Sequence, residues 1–575
     1  MTGDFIWVLL LFPATLILPG FLFVRRLRGS SLEQLLAAVV ASCLGAYLVA
    51  FGLYLLKIPA AWFGLWAGAG VAAAVLEWRH WPAFGRDADA RACLGPWAAV
   101  TAWTLGVLSL VHNYSGLAWA GDWIEHFYRA MFFLNHWPLN FRFLDYYPLP
   151  ARPPLANLVV GGLMALTGKD YAHFQLGNAL FNTLAFLPAA ALVRHLTRSR
   201  AAPWLLALLW MLNPMMLENA TFAWTKQSTA FFILTGLWFL LRGRTTGAAW
   251  REGLAFLALG AGAVCHYSTG PYLVATALLY LVAERRRLLH PAGWRRVAGV
   301  AAGGVAVIAT WAAWAIWRYG VHGMFLSNST ATYFPGVGTW LRDLFANAWC
   351  TLAPQSPWQL HNWVVFGSSD PVAIARDYYF GVYQTNFLWA IGSGAWLAAL
   401  WLAVAAWRRW PSSGEAGVSV PAATAWVLLV FGLSIVATPY EDWGVAQGCL
   451  QPLVMLVLVW LAARMPALPP LLGRVLILTT TTDFLLGSML QQFVQHRDYR
   501  PQLLAGKPLL QLAADENLNM RNNIRYQLLH GLNFFSDQIR VPVGLVVALL
   551  VLLLVLVAVK WRQVSRAESA PGLAA

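Results

Sequence analysis

Four ionisable residues lie close together in the stretch Gly121-Asp122-Trp123-Ile124-Glu125-His126-Phe127-Tyr128-Arg129. They follow one another at i, i+3, i+4 and i+7, so a helix would place all four side chains on one face. They are Asp122, Glu125, His126 and Arg129. Carboxylates and a histidine can exchange protons, and an arginine can bind an anion. The spacing predicts a helix whose ionisable face is turned towards a cavity.

The opposite face of this predicted helix is apolar, with Trp123, Ile124, Phe127 and Met131. Such an amphipathic helix suits a membrane interface, with its apolar side against lipid or protein. An alternative is an ordinary interfacial helix in which the charges neutralise one another. In that case Arg129 pairs with Asp122 or Glu125.

A second candidate site follows in Ala151-Arg152-Pro153-Pro154-Leu155, with Arg142 a short distance before it. Paired prolines fix φ and suit the first turn of a helix, so Arg152 is expected at the mouth of that helix. An arginine there can bind an anionic head group through two hydrogen bonds. The alternative is an arginine that extends to lipid phosphates.

The elements that position these residues are membrane helices. The chain of 575 residues is 59% hydrophobic and only 11% charged, which indicates lipid as the solvent. Because about 20 apolar residues cross a bilayer, we expect an all-α polytopic membrane protein, a bundle of about fifteen transmembrane helices with exterior interfacial helices and loops. The predicted spans are 5–24, 33–56, 60–77, 97–117, 173–195, 203–217, 226–241, 252–265, 270–283, 297–318, 386–407, 421–438, 444–463, 472–490 and 541–561. Pro153–Thr167 is predicted as a short helix that lies at the exterior interface or re-enters it.

The net charge of +15 comes mostly from arginines in short loops between apolar runs. The positive-inside rule explains this pattern without nucleic-acid binding, which we do not expect. The rule places the N-terminus outside and the C-terminus in the cytoplasm. Three long exterior segments result, over 118–172, 319–385 and 491–540. The five cysteines show no CxxC spacing, so neither a disulfide framework nor a zinc site is expected.

An Asp just after a spanning helix, an amphipathic helix, a Pro-Pro-Leu segment and then an apolar helix that ends in basic residues resemble the GT-C glycosyltransferases. The similarity is greatest to the branch with the protein O-mannosyltransferases and the aminoarabinose transferase of lipid A. It covers roughly 97–285. The resemblance implies an enzyme that takes a sugar from a polyprenyl-phosphate carrier on the non-cytoplasmic face. It passes the sugar, with inversion, to a protein, lipid or glycan acceptor that the sequence does not identify.

The resemblance also implies roles for particular residues. Asp122 matches the catalytic position and would accept the proton of the acceptor hydroxyl, with Glu125 beside it as a second catalytic candidate. Fixed cations would stabilise the phosphate that leaves. The remaining substrate-binding candidates are His126, Arg129, Arg142, Arg152, Lys226, His266, Glu441 and Asp442.

Several of these residues have a simpler interpretation. Lys226 stands near the place where many relatives carry an Asp, which puts a metal-binding role there in doubt, and it could instead extend to lipid head groups. His266 lies at a hinge between two apolar runs, where a lone histidine is often a packing residue. Glu441 and Asp442 could bind sugar hydroxyls or only anchor an interface. No cofactor is assigned with certainty, no metal ligands are proposed, and a divalent cation is left open.

The chain departs from the family by about three helices before the matching region, which could dock a partner or form a lateral wall. The predicted divisions are the additional helices 1–96, the GT-C-like core 97–318 with its first exterior loop 118–172, the exterior loop 319–385, the helices 386–490, the exterior loop 491–540, and the last helix with its cytoplasmic tail 541–575.

Two other functions remain open from the sequence. A glycan polymerase or ligase with polyprenyl-linked sugars would use exterior arginines, namely Arg497, Arg500, Arg521 and Arg525. A transporter of a lipid-linked substrate would need ionisable residues at mid-membrane depth, where Asp483 is the main candidate. The absence of GxxxxGK[ST] and HExxH motifs argues against a P-loop ATPase and a zinc protease. The expected location is the inner membrane of a bacterium.

Overall fold

Helices make up nearly all of the described chain in the computed structural model, which covers 2–78, 81–110, 122–143, 147–327, 334–353, 381–408, 420–438, 446–496 and 542–569. Some side chains in these ranges, including that of Asp122, are outside the description. Within them, one isolated bridge joins Phe143 and Tyr147, and no strand occurs. The predicted all-α polytopic membrane fold is confirmed.

The helices of the first half are α1 Thr2–Leu16, α2 Phe21–Val24, α3 Ser31–Leu55, α4 Gly64–Leu76, α5 Trp81–Arg86, α6 Ala88–Leu110, α7 Asp122–Leu134, α8 Leu155–Thr167, α9 Tyr171–Thr183, α10 Phe186–Thr197, α11 Ala202–Met211, α12 Pro214–Thr221, α13 Lys226–Thr246 and α14 Ala249–Cys265. Those of the second half are α15 Gly270–Glu284, α16 Pro291–Phe325, α17 Val337–Leu352, α18 Phe387–Ile391, α19 Ala395–Arg408, α20 Val420–Ala437, α21 Gln451–Arg464, α22 Pro470–His496 and α23 Val543–Ser569.

Seven helical stretches of the described chain are long and apolar enough to cross a membrane. They are Asp4–Val24, Ser31–Leu55, Ala88–Leu110, Tyr171–Thr197, Pro291–Phe325, Pro470–Ser488 and Val543–Glu568. Shorter apolar helices, such as Ala202–Met211 and Pro421–Ala437, occupy other predicted spans. Each of the fifteen predicted spans therefore corresponds to a helix or to a broken pair of helices.

Four predicted spans divide into two helices, and in two of these the sequence marks the interruption. The span predicted over 203–217 divides into α11 and α12 because Pro214 cannot continue the first helix, and Asn213 caps the second by accepting from Met216 N at 2.9 Å. The span predicted over 386–407 divides into α18 and α19 at Gly392, whose φ of 120° favours glycine. There the Asp483 carboxylate accepts from Ser393 N at 2.8 Å.

The helix pair α13 and α14 gives the bundle two chemically different ends. Lys226 begins α13, and Arg244 lies in its last turn. α14 runs back, with Glu252 in its first turn, and ends at Cys265. The 21 residues of α13 span about 30 Å, which matches the hydrocarbon thickness of a bilayer. The two ends of this pair are therefore a membrane's thickness apart.

The end away from Lys226 carries buried carboxylates that are bound by arginines. Glu33 accepts from Arg251 at 2.7 Å and from Arg242 at 3.3 Å. Nearby, Glu252 accepts from Arg296 at 2.8 Å. The arginines at this end therefore have a structural role, since they neutralise carboxylates at the helix ends.

The additional N-terminal helices form a wall against the rest of the bundle. α3 packs against α8, and its aromatic residues reach α7 and α16. Phe51 contacts Trp311 with ring centroids 6.1 Å apart, and Tyr54 contacts Phe133 at 5.1 Å. These contacts are the ones that a lateral wall, one of the two roles left open by the sequence, requires.

The short helix predicted over Pro153–Thr167 is present as α8. Its first ten residues, Leu155 to Met164, are all buried. They pack against α3, α7 and α9. Much of α8 is therefore surrounded by protein on all sides and has no face turned to lipid over these residues.

Candidate active site

The predicted amphipathic helix is α7, and its ionisable face is buried within the protein. Glu125 and Arg129 are 0% exposed, and His126 is 3% exposed. Arg129 Nη2 lies 2.6 Å from Glu125 Oε1 and Arg129 Nε lies 2.7 Å from it, one helical turn apart. Burial acts to raise the pKa of Glu125, but Arg129 and Arg152 outweigh it and hold that pKa below its ordinary value. Glu125 is therefore an ionised carboxylate between two cations.

Arg129 also ties α7 to the chain before α8. Its Nη1 donates to Leu149 O at 2.5 Å, and its Nη2 donates to Pro148 O at 3.3 Å. Its guanidinium lies over the Phe143 ring, 4.2 Å from the centroid. The guanidinium of Arg129 therefore binds protein groups, and its function is to position α7 against the segment before α8.

Arg152 is the more accessible of the two cations beside Glu125. It lies where the sequence predicts it, just before α8, with its side chain 15% exposed. Its Nε is 3.7 Å from Glu125 Oε2, and its guanidinium lies 5.8 Å from the centre of the Tyr147 ring. A partly exposed guanidinium held by a buried carboxylate is well suited to bind an anion from outside.

His126 is held in its neutral form. Burial lowers its pKa to about 3, although Glu125 acts in the opposite direction. Its Nδ1 lies 3.0 Å from Asn157 Oδ1, so the ring donates through Nδ1–H. Among the described residues the buried Nδ2 of Asn157 has no hydrogen-bond partner. Asn157 therefore offers one free donor beside the predicted site.

Lys226 and His266 belong to the same cluster although they are distant in sequence. Lys226 Nζ donates to Gly448 O at 2.9 Å. His266 Nδ1 accepts from Ser268 N at 3.0 Å, which leaves the proton on Nε2. Burial lowers the pKa of His266, and the charges of Lys226 and Arg152 lower it further. Tyr267 completes the connection by donating to Pro150 O at 2.7 Å.

The remaining predicted site residues are not brought into this cluster by the described structure. Arg142 is exposed on the segment after α7. Asp122 is the first residue of α7, but its side chain is outside the description, as are Glu441 and Asp442 entirely. The arginines predicted for a polymerase, Arg497 to Arg525, also lie outside the described residues.

The sequence did not single out the amides that position Lys226. Asn182 Nδ2 donates to Asn219 O and to Trp224 O, each at 3.1 Å, and its Oδ1 accepts from Ser228 N at 3.1 Å. These contacts fix the turn between α12 and α13. The available sequence signal for a role of Asn182 was the presence of an amide within a long apolar stretch.

A second buried polar contact lies beside this turn. Glu218 is 4% exposed and accepts a hydrogen bond from the Gln384 amide, which comes from the helical segment 381–385. Glu218 stands as a lone carboxylate in Met215-Met216-Leu217-Glu218, which could have marked it as buried and partnered. Within the described part of the chain, no group of three His, Cys, Asp or Glu side chains could hold a metal ion.

A polytopic helical bundle with cations gathered at one end is what the resemblance to membrane glycosyltransferases of GT-C type, which use a lipid-linked sugar donor, predicts. The predicted resemblance is confirmed by a family model. The model described as dolichyl-phosphate-mannose-protein mannosyltransferase matches residues 151–314, less than a third of the chain. The matched segment includes Arg152, Lys226 and His266.

Two solved structures are similar to this chain. The crystal structure of ArnT from Cupriavidus metallidurans bound to undecaprenyl phosphate is 15% identical, with a TM-score of 0.42, and the match covers 81% of this chain and 76% of that one. The same protein in the apo state is 16% identical, with a TM-score of 0.32, over 69% of this chain and 76% of that one. No curated protein matches the sequence significantly.

Proposed function

We propose that this protein transfers a sugar from a polyprenyl-phosphate donor to an acceptor hydroxyl on the non-cytoplasmic face of a bacterial inner membrane. The single observation that carries the proposal is the bond from the Tyr267 hydroxyl to Pro150 O at 2.7 Å, which brings the loop of His266 to the segment of Arg152 beside α7. The charges of Arg152 and Lys226 both act on His266 there. The match of residues 151–314 to the dolichyl-phosphate-mannose-protein mannosyltransferase family supports a donor of this kind.

The reaction is a single displacement at the anomeric carbon. The acceptor oxygen forms a bond to that carbon as the bond from carbon to the phosphate oxygen breaks. The electron pair of the broken bond leaves with polyprenyl phosphate, and the acceptor proton passes to a base. Attack from the face opposite the leaving group inverts the configuration.

The phosphate end is assigned to Arg152 and Lys226. Two cations of the cluster, Arg129 and Arg152, share the single carboxylate of Glu125. Lys226 adds a third positive charge beside His266. This excess of positive charge matches the negative charge that grows on the leaving phosphate. His266, neutral with its proton on Nε2, and the free amide of Asn157 would add uncharged hydrogen-bond donors.

The base is assigned to Asp122. A free Asp has a pKa of about 3.9, so it is ionised at neutral pH and its contribution comes mainly from placement. Glu125, the second catalytic candidate, is engaged by Arg129 and Arg152, so we assign it to positioning these cations. Glu441 and Asp442 remain predicted contacts to sugar hydroxyls.

The proposed sidedness is supported by the two ends of the α13–α14 pair. The end with the bound arginines faces the cytoplasm by the positive-inside rule, which places Lys226 and the cluster on the other side. This orientation puts the N-terminus outside and the C-terminus inside.

The test is sugar transfer from synthetic polyprenyl-phosphate sugars by the purified protein in nanodiscs. Wild type is compared with Asp122→Asn, and Asp170→Asn is the matched control because Asp170 caps α9 and Asn caps a helix equally well. We expect the wild type and the control to release polyprenyl phosphate and Asp122→Asn to fail, with equal thermal stability of all three. Equal transfer by all three would refute the assignment of the base, and no transfer by folded wild type across a broad donor panel would refute the function.

A further inference from the structure

The five residues Ala446–Leu450 form a π-helix that leads directly into α21. A π-helix is rare, and it occurs mostly as a single turn, frequently at a functional site. Two of its carbonyl groups bind side chains from other helices. Gly448 O accepts from Lys226 Nζ at 2.9 Å, and Cys449 O accepts from the Tyr272 hydroxyl at 2.7 Å. The π-helix therefore connects Lys226, which begins α13, with Tyr272 in the first turn of α15.

The bond between Lys226 and Gly448 orients the ammonium group without neutralising it. A carbonyl oxygen carries no net charge, so this bond leaves the positive charge of Lys226 in place. It does fix the direction of the side chain, because a lysine has a flexible four-carbon stem with many rotamers. The position of the ammonium group therefore depends on where the Gly448 carbonyl is held.

Two buried side chains hold the π-helix that contains this carbonyl. Tyr272 is 0% exposed, and its hydroxyl binds the residue that follows Gly448. Gln451, the first residue of α21, is 1% exposed and donates through Nε2 to Asn219 Oδ1 at 2.8 Å. Asn219 belongs to α12, which precedes Lys226 by one short turn. The π-helix is therefore fixed to α15 on one side and to α12 on the other.

We propose that Tyr272 and Gln451 are positioning residues of the anion site, which hold the π-helix so that Gly448 O directs the Lys226 ammonium group towards the donor phosphate. The inference rests on the proposed function, which assigns Lys226 to that phosphate. A cation that is oriented in advance binds an anion more tightly, because less rotamer freedom is lost on binding. Loss of either bond keeps the charge of Lys226 in the site and lowers the affinity of the site.

The test is the affinity of the protein in nanodiscs for sugar-free polyprenyl phosphate, measured by competition. Tyr272→Phe removes one hydroxyl and keeps the ring, so the affinity should fall about threefold to tenfold, the range for loss of one hydrogen bond. Tyr280→Phe is the matched control, because Tyr280 lies on the same helix about 12 Å away. Its hydroxyl donates to Glu252 Oε2 at 2.8 Å, at the opposite end of the bundle. The control should bind as wild type does.

A double variant separates positioning of Lys226 from a general effect on the fold. If Tyr272 acts through Lys226, adding Tyr272→Phe to Lys226→Met should lower the affinity by less than about twofold, within the range for independent changes. A general loosening of the fold would lower the affinity by the same factor in both backgrounds. An equal fall in the presence and absence of Lys226 would therefore overturn the proposal.

Gln451→Met gives a second, independent test should Tyr272→Phe fail to fold, and it should weaken binding in the same Lys226-dependent way. Its control is Gln34→Met, because Gln34 Nε2 donates to Leu27 O at 3.2 Å at the end of the bundle that carries Glu33. Unchanged affinity in both Tyr272→Phe and Gln451→Met would overturn the proposal and leave the transfer reaction untouched. The expected coupling without sugar transfer from any donor would refute the function alone. Absence of polyprenyl-phosphate binding by folded wild type would overturn both.

Discussion

Arg152 Nε lies 3.7 Å from Glu125 Oε2, and this contact joins the two candidate motifs of the sequence into one site. Glu125 comes from the ionisable face of α7, whereas Arg152 precedes α8. The carboxylate is 0% exposed and the guanidinium 15% exposed, so the anion is fixed inside and the cation reaches outwards. Four predictions follow from this cluster.

Removal of the Glu125 charge should destabilise the fold. Glu125→Gln leaves Arg129 buried without its counter-ion, which costs about 3–5 kcal/mol for a buried pair. We expect a large drop in the thermal unfolding temperature, partly restored in Glu125→Gln/Arg129→Met. Arg342→Met is the control, because Arg342 is 75% exposed in its pair with Asp343 and should cost under about 1 kcal/mol. Equal shifts for the two single variants would contradict a structural role of Glu125.

Arg152 should act on the donor phosphate. Arg152→Ala is expected to lower kcat/KM for a polyprenyl-phosphate sugar by about 10²–10³, the effect of removing one donor from a transition-state anion site. Arg152→Lys should retain part of the activity because it keeps the charge. The control is Arg318→Ala, since Arg318 lies over Trp317 at 4.1 Å on an exposed surface. Unchanged kinetics in Arg152→Ala would show that the phosphate binds elsewhere.

Lys226 should contribute to the same anion site. Lys226→Met removes a cation while keeping much of the side-chain length, so we expect a reduced affinity for sugar-free polyprenyl phosphate. Binding can be followed by native mass spectrometry or competition. Lys169→Met serves for comparison, because Lys169 is exposed and only 3.5 Å from Asn135 Oδ1. If Lys169→Met bound sugar-free polyprenyl phosphate more weakly than Lys226→Met does, the assignment of Lys226 to the anion site would be ruled out.

His126 should make the protein less stable in mild acid. Its pKa is about 3 in the folded protein against about 6.5 when unfolded, so the unfolded chain binds more protons below pH 6.5. The free energy of unfolding therefore falls as the pH drops from about 6.5 towards 3, by up to about 1.4 kcal/mol per pH unit. Glu125 does not titrate between pH 7.5 and 5.5, because its pKa is lowered.

The measurement is unfolding in mixed detergent at pH 7.5 and 5.5 for wild type and His126→Asn. We expect the variant to lose less stability between the two values than wild type does. His266 has a lowered pKa of the same sign and should retain part of the pH dependence. An identical pH dependence of wild type and variant would mean that His126 is protonated in the folded protein.

Much of the helical framework could be predicted from the sequence because its signals are local. The amphipathic spacing predicted α7, and the hydropathy predicted the spans. The breaks within the spans predicted over 203–217 and 386–407 were less evident, because the apolar runs continue across them. Pro214 and Gly392 mark these breaks. α6 begins at Ala88, earlier than the predicted start at 97. Asp87 sets this start because it caps the helix by accepting from Ala90 N at 2.9 Å.

The residues of the candidate site also divide into those with a local sequence signal and those without one. Arg152 and Lys226 were predicted as separate cations at the starts of helices. The pairing of Glu125 with Arg129 was predicted as an alternative, and the structure contains this pair. The amides Asn157 and Asn182 were missed, since an amide within an apolar run has no periodic signal. Their partners lie on other helices, and only packing brings them together.

The sequence by itself determined that this chain is a helical membrane protein with most of its basic residues towards one side and an ionisable face on one interfacial helix. Those properties depend on composition and on spacings of a few residues. Tertiary structure decided that Glu125 meets Arg152, that Lys226 and His266 join them, and that the N-terminal helices form an apolar wall beside α7 and α8. These contacts connect segments far apart in the chain, and they are set by how helices pack around each other, which no local spacing encodes.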